Sequence, residues 1–465
     1  MDGSRTQVGQ PSWRRELIEI LILAAPLATA QLAQMAMGIT DTIMMGRVSS
    51  DALAAGGLGA NVAFLLIIVF QGLVASIQPI VAHARGAADH SGFGRTLGAG
   101  LIISALAAVP VVLVITQIDW LLDAIGEPHQ ISLMTLQYEQ AFAWGVPAGM
   151  VQFALRNYLA ALERPLVITA VVAVACVANF GLNWVLVFGH LGLPALGLRG
   201  SGYATSISWW GMLLAFLWYL NRARLLPENL FRLSRTELFD GMGALLSLGW
   251  PISGVYAVEV GLFSVSSLMM GWFGPVALAA HQICMNIASF TFMVPMAIGQ
   301  AATVRVGYYV GGGALRRARV AGLTAIGLGT GFMLLMAVTI TSMARPIFFL
   351  YLDADDPKLG AVLALGRQLI VLAALFQMFD GAQVVAAGAL RGLKDTHATM
   401  IAAAIGYWGL GMPIGAGLAF GLGMGPVGLW WGFVVGLIAA ALLLGLRFRQ
   451  RTARMIALAP AAADA

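Results

Sequence analysis

The chain has 465 residues, of which 60% are hydrophobic and only 10% charged, with a mean hydropathy of +0.86. A soluble protein of average composition carries roughly 25% charged residues, so this one is excluded from that class and belongs in a bilayer. The formal charge of +5 does not point to nucleic acid, because the basic residues fall in short polar segments between apolar runs, where they set topology.

The N-terminal stretch 1–16 is polar and carries Arg5, Arg14 and Arg15. The apolar run that follows is too long for the core of a signal peptide and reads as a retained first span. A helix needs about 20 apolar residues to cross the hydrocarbon core. By that criterion twelve spans are expected, at 17–45, 53–83, 95–117, 131–153, 166–190, 200–220, 242–271, 276–308, 319–342, 360–388, 398–421 and 427–446. The longest polar connection, from Asn221 to Asp240, divides six spans from six. The expected organisation is an N-terminal tail (1–16), an N-lobe (17–220), a linker (221–241), a C-lobe (242–446) and a C-terminal tail (447–465).

With an even number of spans both termini lie on one side. If that side is the cytoplasm, nearly all the Lys and Arg fall inside, and only Arg47, Arg199, Arg345 and Lys358 fall outside, with Arg367 within a span. This asymmetry obeys the positive-inside rule. The outer loops carry acids instead: Asp119, Asp123 and Glu127 in one, Asp353, Asp355 and Asp356 in another.

The two halves repeat. Pro26 and Pro251, Met44-Met45-Gly46 and Met269-Met270-Gly271, and Gly86 and Gly311 all stand 225 residues apart. Later in each half the offset is 228, which pairs Gly197 and Gly200 with Gly425 and Gly428. Six spans per half point both copies the same way across the membrane, so the repeats are parallel and related by an axis along the membrane normal. The expected fold is an all-α integral membrane protein of twelve transmembrane helices, in two six-helix lobes related by a pseudo-two-fold.

Acids inside apolar spans are costly and usually functional, which singles out Asp41, Glu259 and Asp380. Asn179 and Asn183 are four residues apart and share one helix face. By their depth they fall with Asp41 in the outer part of the N-lobe and could line one pocket; the alternative is that the asparagines are interhelical packing contacts. Glu259 has no basic residue within a turn, and Arg367 and Arg391 stand well along the helix from Asp380. In low dielectric such acids gain from binding a proton or a cation. Pro26 and Pro251 occupy equivalent early positions in the first span of each half and are candidate bend points.

Other signals are weaker. Gln34 in the N-lobe, and Tyr256, His281, Gln282, Asn286, Phe376 and Gln383 in the C-lobe, are candidates to line a cavity. The pairs Trp209-Trp210 and Trp430-Trp431 read as interfacial or packing residues. The 22 methionines suit an adaptable surface. Cys176 and Cys284 read as buried free thiols without metal-ligand spacing. No P-loop and no Gly-rich nucleotide turn exists, so neither a nucleotide nor another cofactor is expected.

At these residues the chain resembles the multidrug and toxic compound extrusion (MATE) family, in its NorM-like branch. The matching stretches are Asp41-Thr-Ile-Met-Met-Gly46, Leu53-Ala-Ala55, Gln78-Pro-Ile-Val-Ala-His-Ala-Arg-Gly86, Asn179 with Asn183, Ala279-Ala-His-Gln-Ile283 and the segment from Asp380 to Gly392. The resemblance covers roughly residues 15 to 445. It implies a two-lobe exporter with a central cavity that exchanges organic cations and other amphipathic drugs for inward-moving H+ or Na+. It implies a cation site at Asp41, Asn179 and Asn183 in the N-lobe and coupling carboxylates Glu259 and Asp380 in the C-lobe, with Na+ a candidate at either. It implies that Pro26 is a bend in the first span, and a monomer in the inner (plasma) membrane of a bacterium. Two positions depart from relatives: Asn183 stands where one branch has an acid, and Phe376 where some members have a tyrosine. A lipid-linked precursor flippase of related architecture would need a basic cavity, and the basic residues within spans are few. An intramembrane enzyme would need clustered catalytic groups, which are not visible. The expected partners are therefore drug substrates and the lipid bilayer, with no nucleic acid.

Overall fold

The structure, a computed structural model, describes residues 12–124, 126–230, 232–351 and 357–459. Arg5, Asp353, Asp355 and Asp356 lie outside the described residues. Among the described residues no strand occurs. In chain order the first half contains α1 (Trp13–Val48), α2 (Ser50–Ala75), α3 (Ile77–Gly86), α4 (Ser91–Ile115), α5 (Ile118–Ala124), α6 (His129–Ala143), α7 (Val146–Ala161), α8 (Pro165–Phe188) and α9 (Leu198–Arg222). The second contains α10 (Arg235–Trp272), α11 (Pro275–Gly311), α12 (Leu315–Ser342), α13 (Ala344–Phe349), α14 (Leu359–Gly392), α15 (Thr396–Ala403), α16 (Met412–Ala416) and α17 (Pro426–Leu458).

Ten helical segments among the described residues are long and apolar enough to cross a membrane, α2 and α3 counting as one and 396–421 as another. The α6–α7 pair and α9 complete the twelve expected spans. The α6–α7 pair falls short because the helix is interrupted at Trp144 and Gly145. Pro147, in the first turn of α7, has no N–H to continue the ladder. A Cβ on Gly145 would sit 2.6 Å from the Ser206 Cα, so the interruption lets α9 approach closely.

The local starts and stops follow ordinary helix chemistry. A capping box opens α10: the Ser234 N–H donates to Glu237 Oε2 at 2.8 Å and the Glu237 N–H donates to Ser234 Oγ at 3.2 Å. Helices α8, α11 and α17 each begin with proline in the first turn. Gly189 ends α8 at φ +75°, a left-handed conformation that glycine adopts without a Cβ clash. Because α10 starts at Arg235, it takes in the last part of the expected linker, and α17 continues to Leu458 through much of the expected C-terminal tail.

The span at 396–421 is irregular. Between α15, α16 and the next turn, residues 404–411 and 417–421 are π-helical. This wider winding lies against α17 across a seam of glycines. A Cβ on Gly432 would be 2.4 Å from the Gly411 carbonyl oxygen, and one on Gly436 would be 2.7 Å from the Gly406 oxygen. Small residues let membrane helices pack backbone to backbone.

The chain divides into two compact units, and the division does not follow the midpoint of the sequence. One unit comprises the described residues of Met1–Ala25, Ala82–His90 and Gly261–Ala465; the other comprises Pro26–Val81 and Ser91–Val260. The boundary crosses α1 at Pro26 and α10 after Val260. Contacts inside each unit account for this. In the first unit Glu16, at the start of α1, pairs with Arg305 on α11: Arg305 Nη2 donates to both carboxylate oxygens at 3.1 and 3.2 Å. Arg305 also donates to the Tyr309 hydroxyl at 2.6 Å, and that hydroxyl donates to Glu16. In the second unit the Ser76 hydroxyl donates to the Leu245 carbonyl at 3.0 Å, and Gly249 lies against the Leu73 backbone.

The 225-residue register is visible in space within the first unit. A Cβ on Gly86 would lie 1.9 Å from the Tyr308 carbonyl oxygen, and one on Gly311 would lie 2.0 Å from that of His83. His83 and Tyr308 are themselves one repeat apart, so the two contacts are reciprocal.

Candidate functional site

In the unit formed by Pro26–Val81 and Ser91–Val260, a buried polar cluster joins α1, α8 and α9. Asp41 comes from the C-terminal part of α1 and is 7% exposed; Asn179 and Asn183, one turn apart on α8, are fully buried. The 3.6-residue period puts the two asparagines on one face, and Asn183 Nδ2 donates to Asn179 Oδ1 at 3.2 Å. Asn183 Nδ2 also donates to Asp41 Oδ1 at 2.7 Å. The second carboxylate oxygen is held from α9, where the Thr205 hydroxyl donates to Asp41 Oδ2 at 2.8 Å. That hydroxyl in turn accepts from Asn179 Nδ2 at 3.4 Å.

The arrangement brings together the three residues the sequence singled out and adds Thr205, which it did not. Thr205 lies in the Ser201-Gly-Tyr-Ala-Thr-Ser206 run. A polar residue inside a span is a signal, but nothing in the local pattern aims it at Asp41. The donors that hold the carboxylate are neutral, so none of them offsets its charge when it is ionised, and the cluster gathers amide, hydroxyl and carboxylate oxygens. The Asn183 Oδ1 atom has no hydrogen-bond partner. Such a set suits a proton, a Na+ ion or the positive centre of an organic cation. Among the described residues no group of three or more His, Cys, Asp or Glu side chains could hold a metal ion.

Two turns before Asp41 on α1, Gln34 accepts a 2.6 Å hydrogen bond from Arg156 of α7, a buried guanidinium. The Pro26 carbonyl accepts from the Thr169 hydroxyl of α8 at 2.6 Å. Helix α1 continues through Pro26, and α10 through Pro251. The Pro26 carbonyl has thus gained a side-chain donor in the turn where a proline disturbs the backbone ladder.

Glu259 and Asp380 fall in different units. Glu259 is half-buried on α10, together with Tyr256, at the end of the second unit. Asp380, on α14, is 6% exposed. It follows an aromatic core in which Phe376 packs edge-on against Phe263, Trp430 and Phe433, at centroid distances of 5.9 to 6.3 Å. Trp430 is fully buried, which makes it a packing residue. His281 is fully buried as well, packed edge-on to Trp430 and within 3.3 Å of the Ser267 hydroxyl. Gln383 is buried and donates to the Tyr407 hydroxyl, and Thr291 donates to Gln377 at 2.9 Å. Gln282 and Asn286, on the same helix as His281, are exposed. Cys284 is buried but Cys176 is only half-buried, and neither is in a disulfide.

The family model for MatE matches residues 26–185 and 251–416, the corresponding parts of the two repeats. The chain belongs to the MatE family. Among curated relatives, the multidrug resistance protein NorM of Burkholderia vietnamiensis is 42% identical over 98% of both chains. A probable NorM of Pseudomonas aeruginosa is 39% identical over 95% of this chain and 91% of its own. In fold, this MatE chain is similar to the eukaryotic MATE transporter AtDTX14, with a TM-score of 0.85 at 21% identity over 95% of this chain and 98% of that one. It is equally similar to the bent form of the Vibrio cholerae MATE transporter VcmN, with a TM-score of 0.84 at 18% identity over 96% and 99%.

One acid of this MatE chain meets the criterion that selects Asp41, Glu259 and Asp380 but was not among the sequence candidates. Glu139 lies on α6, inside the expected span at 131–153, and is fully buried.

Proposed function

We propose that the chain is a secondary active multidrug exporter, which exchanges organic cations and other amphipathic compounds for H+ or Na+ by alternating access. The observation that carries this reading is the buried Asp41 cluster, a carboxylate fixed by Asn183 and Thr205 inside a membrane-spanning bundle. A cationic drug and a coupling ion both satisfy that charge, and they compete for it. From outside, H+ or Na+ neutralises the acid and releases the drug. The membrane potential favours inward movement of positive charge by about 2.3 kcal/mol per charge per 100 mV. Asp380 and Glu259 supply further anionic positions in the second half of the sequence. The names of the NorM relatives support drug efflux, and the acidic character of the buried cluster supports it over a flippase for pyrophosphate lipids. The reading places the protein, as a monomer, in the inner membrane of a bacterium, with both termini in the cytoplasm and no cofactor.

The test is ethidium efflux from proteoliposomes under separately imposed Na+ and H+ gradients, with wild type, Asp41→Asn and Asp380→Asn. One gradient is expected to drive efflux, and each variant is expected to lose coupled export while still reconstituting. Wild-type rates in both variants would sink the assignment of these acids. No efflux of any organic cation under either gradient would sink the exporter reading.

A further inference from the structure

Glu139 has no assigned task. Its side chain is fully buried, and neither carboxylate oxygen has a hydrogen-bond partner. The wall facing it is glycine: a Cβ on Gly59 of α2 would stand 2.7 Å from Glu139 Oε1, 3.1 Å from Tyr138 and 3.2 Å from Thr135. The Thr135 hydroxyl is turned away and donates to the Ala55 carbonyl at 3.1 Å. Tyr138 belongs to the apolar core of this unit, with Met45, Ile67, Val111, Phe142 and Met150. Gly202 of α9 closes on the Tyr138 backbone.

The charged groups on the surrounding helices do not answer this carboxylate. Asp51 on α2, Arg95 on α4, and Arg199 and Arg222 on α9 are exposed. On α5, Asp119 is half-buried, and Asp123 is bonded to His129 at 2.8 Å. Arg156 on α7 is bonded to Gln34. Met45, one turn beyond Asp41 on α1, and Tyr138, beside Glu139 on α6, pack in one core, so the two acids flank the same part of this unit. An ionised carboxylate in such a place, with no partner, is strongly disfavoured. A Na+ ion would need a shell of oxygens, and the Thr135 hydroxyl on the same helix is already engaged by the Ala55 carbonyl. The ligand that fits is a proton.

We propose that Glu139 is a proton-binding site of the transport cycle, separate from the Asp41 cluster. It carries a proton while that cluster keeps its negative charge. It gives up the proton to water when a cation occupies the cluster and the unit rearranges. The O–H bond of the carboxylic acid breaks, and one positive charge leaves as another arrives, so the unit's net charge is unchanged. Ionising both acids in one buried unit without a compensating cation would leave a further desolvated charge unpaired. The proposal rests on the exporter reading above.

The experiment adds tetraphenylphosphonium to the purified full chain in weakly buffered detergent solution, and measures bound cation and released protons together. Wild type is expected to release more protons per bound cation than E139Q, with binding retained in the variant. Binding with the same proton release in both would overturn the assignment of Glu139 and leave the exporter reading standing. Absence of binding by wild type would overturn that reading and the proposal with it. Should E139Q fail to fold, wild type is treated with a lipid-soluble carbodiimide, which reacts with protonated carboxyls, and the adduct is located by mass spectrometry. An adduct on Glu139 that falls as pH rises and as tetraphenylphosphonium is added supports the proposal. No adduct there, or one indifferent to both, overturns it.

Discussion

At the scale of the residue, the chemistry of the candidate site lies in how one carboxylate is held. Asp41 has a donor on each oxygen, and the two come from different helices. Hydrogen bonds to charged groups are worth about 1.5–3 kcal/mol, so Thr205→Val is expected to slow gradient-driven ethidium efflux by about tenfold or more. Thr205→Ser keeps the hydroxyl and is expected to stay near wild type. Initial efflux rates in proteoliposomes read both, and a Val variant with wild-type rates would remove Thr205 from the site. The sequence made Asp41 and the i, i+4 asparagines legible, because an acid in an apolar run and a helical spacing are local facts. Thr205 stayed hidden, since threonine is common in membrane helices and its partner is 164 residues away. Glu139 was legible by the same rule as Asp41. What the sequence lacked was any sign that its oxygens would face glycine and apolar side chains.

At the scale of the element, glycine decides how closely helices approach. The α17 seam has no room at Gly432, where a Cβ would stand 2.4 Å from the Gly411 oxygen and the Gly415 Cα. Overpacking of this kind costs about 1–3 kcal/mol, so Gly432→Ala is expected to lower the thermal unfolding temperature in detergent. Gly445 on the same helix meets nothing within 4 Å. There the Ala substitution is expected to raise it slightly, because glycine in a helix interior is about 0.5–1 kcal/mol worse than alanine. Equal shifts at the two positions would argue against the seam. The buried Glu16–Arg305 contact is a second element-level device, binding the first turn of α1 to α11. Removing one partner of a buried pair costs about 3–5 kcal/mol, so Glu16→Ala is expected to destabilise the protein more than Gly432→Ala. A melting curve unchanged by Glu16→Ala would show that the pair contributes nothing.

At the scale of the whole molecule, the repeat is more than a trace of sequence. Gly86 and Gly311 stand one repeat apart, and each meets the backbone of the residue that matches the other's partner. Both close approaches are to backbone carbonyls, which cannot swing aside as a side chain could. Gly86→Ala and Gly311→Ala are therefore expected to reduce the yield of folded protein to similar extents, measured by size-exclusion profile after solubilisation. A large loss in one and none in the other would break the symmetry of the contact.

The sequence by itself determined the class, the approximate spans, the parallel repeat and the acids worth watching. Hydropathy, charge asymmetry and helical period are carried by neighbours along the chain, and the bilayer forces them into helices of fixed length. Only the tertiary structure decided that α1 and α10 are each shared between two compact units, that 404–411 winds as a π-helix against α17, and that Thr205 completes the Asp41 cluster. Each of these depends on how far a helix is turned about its axis and how closely its neighbour can come. That is set by side chains more than a hundred residues apart for the cluster, and by glycine seams for the packing.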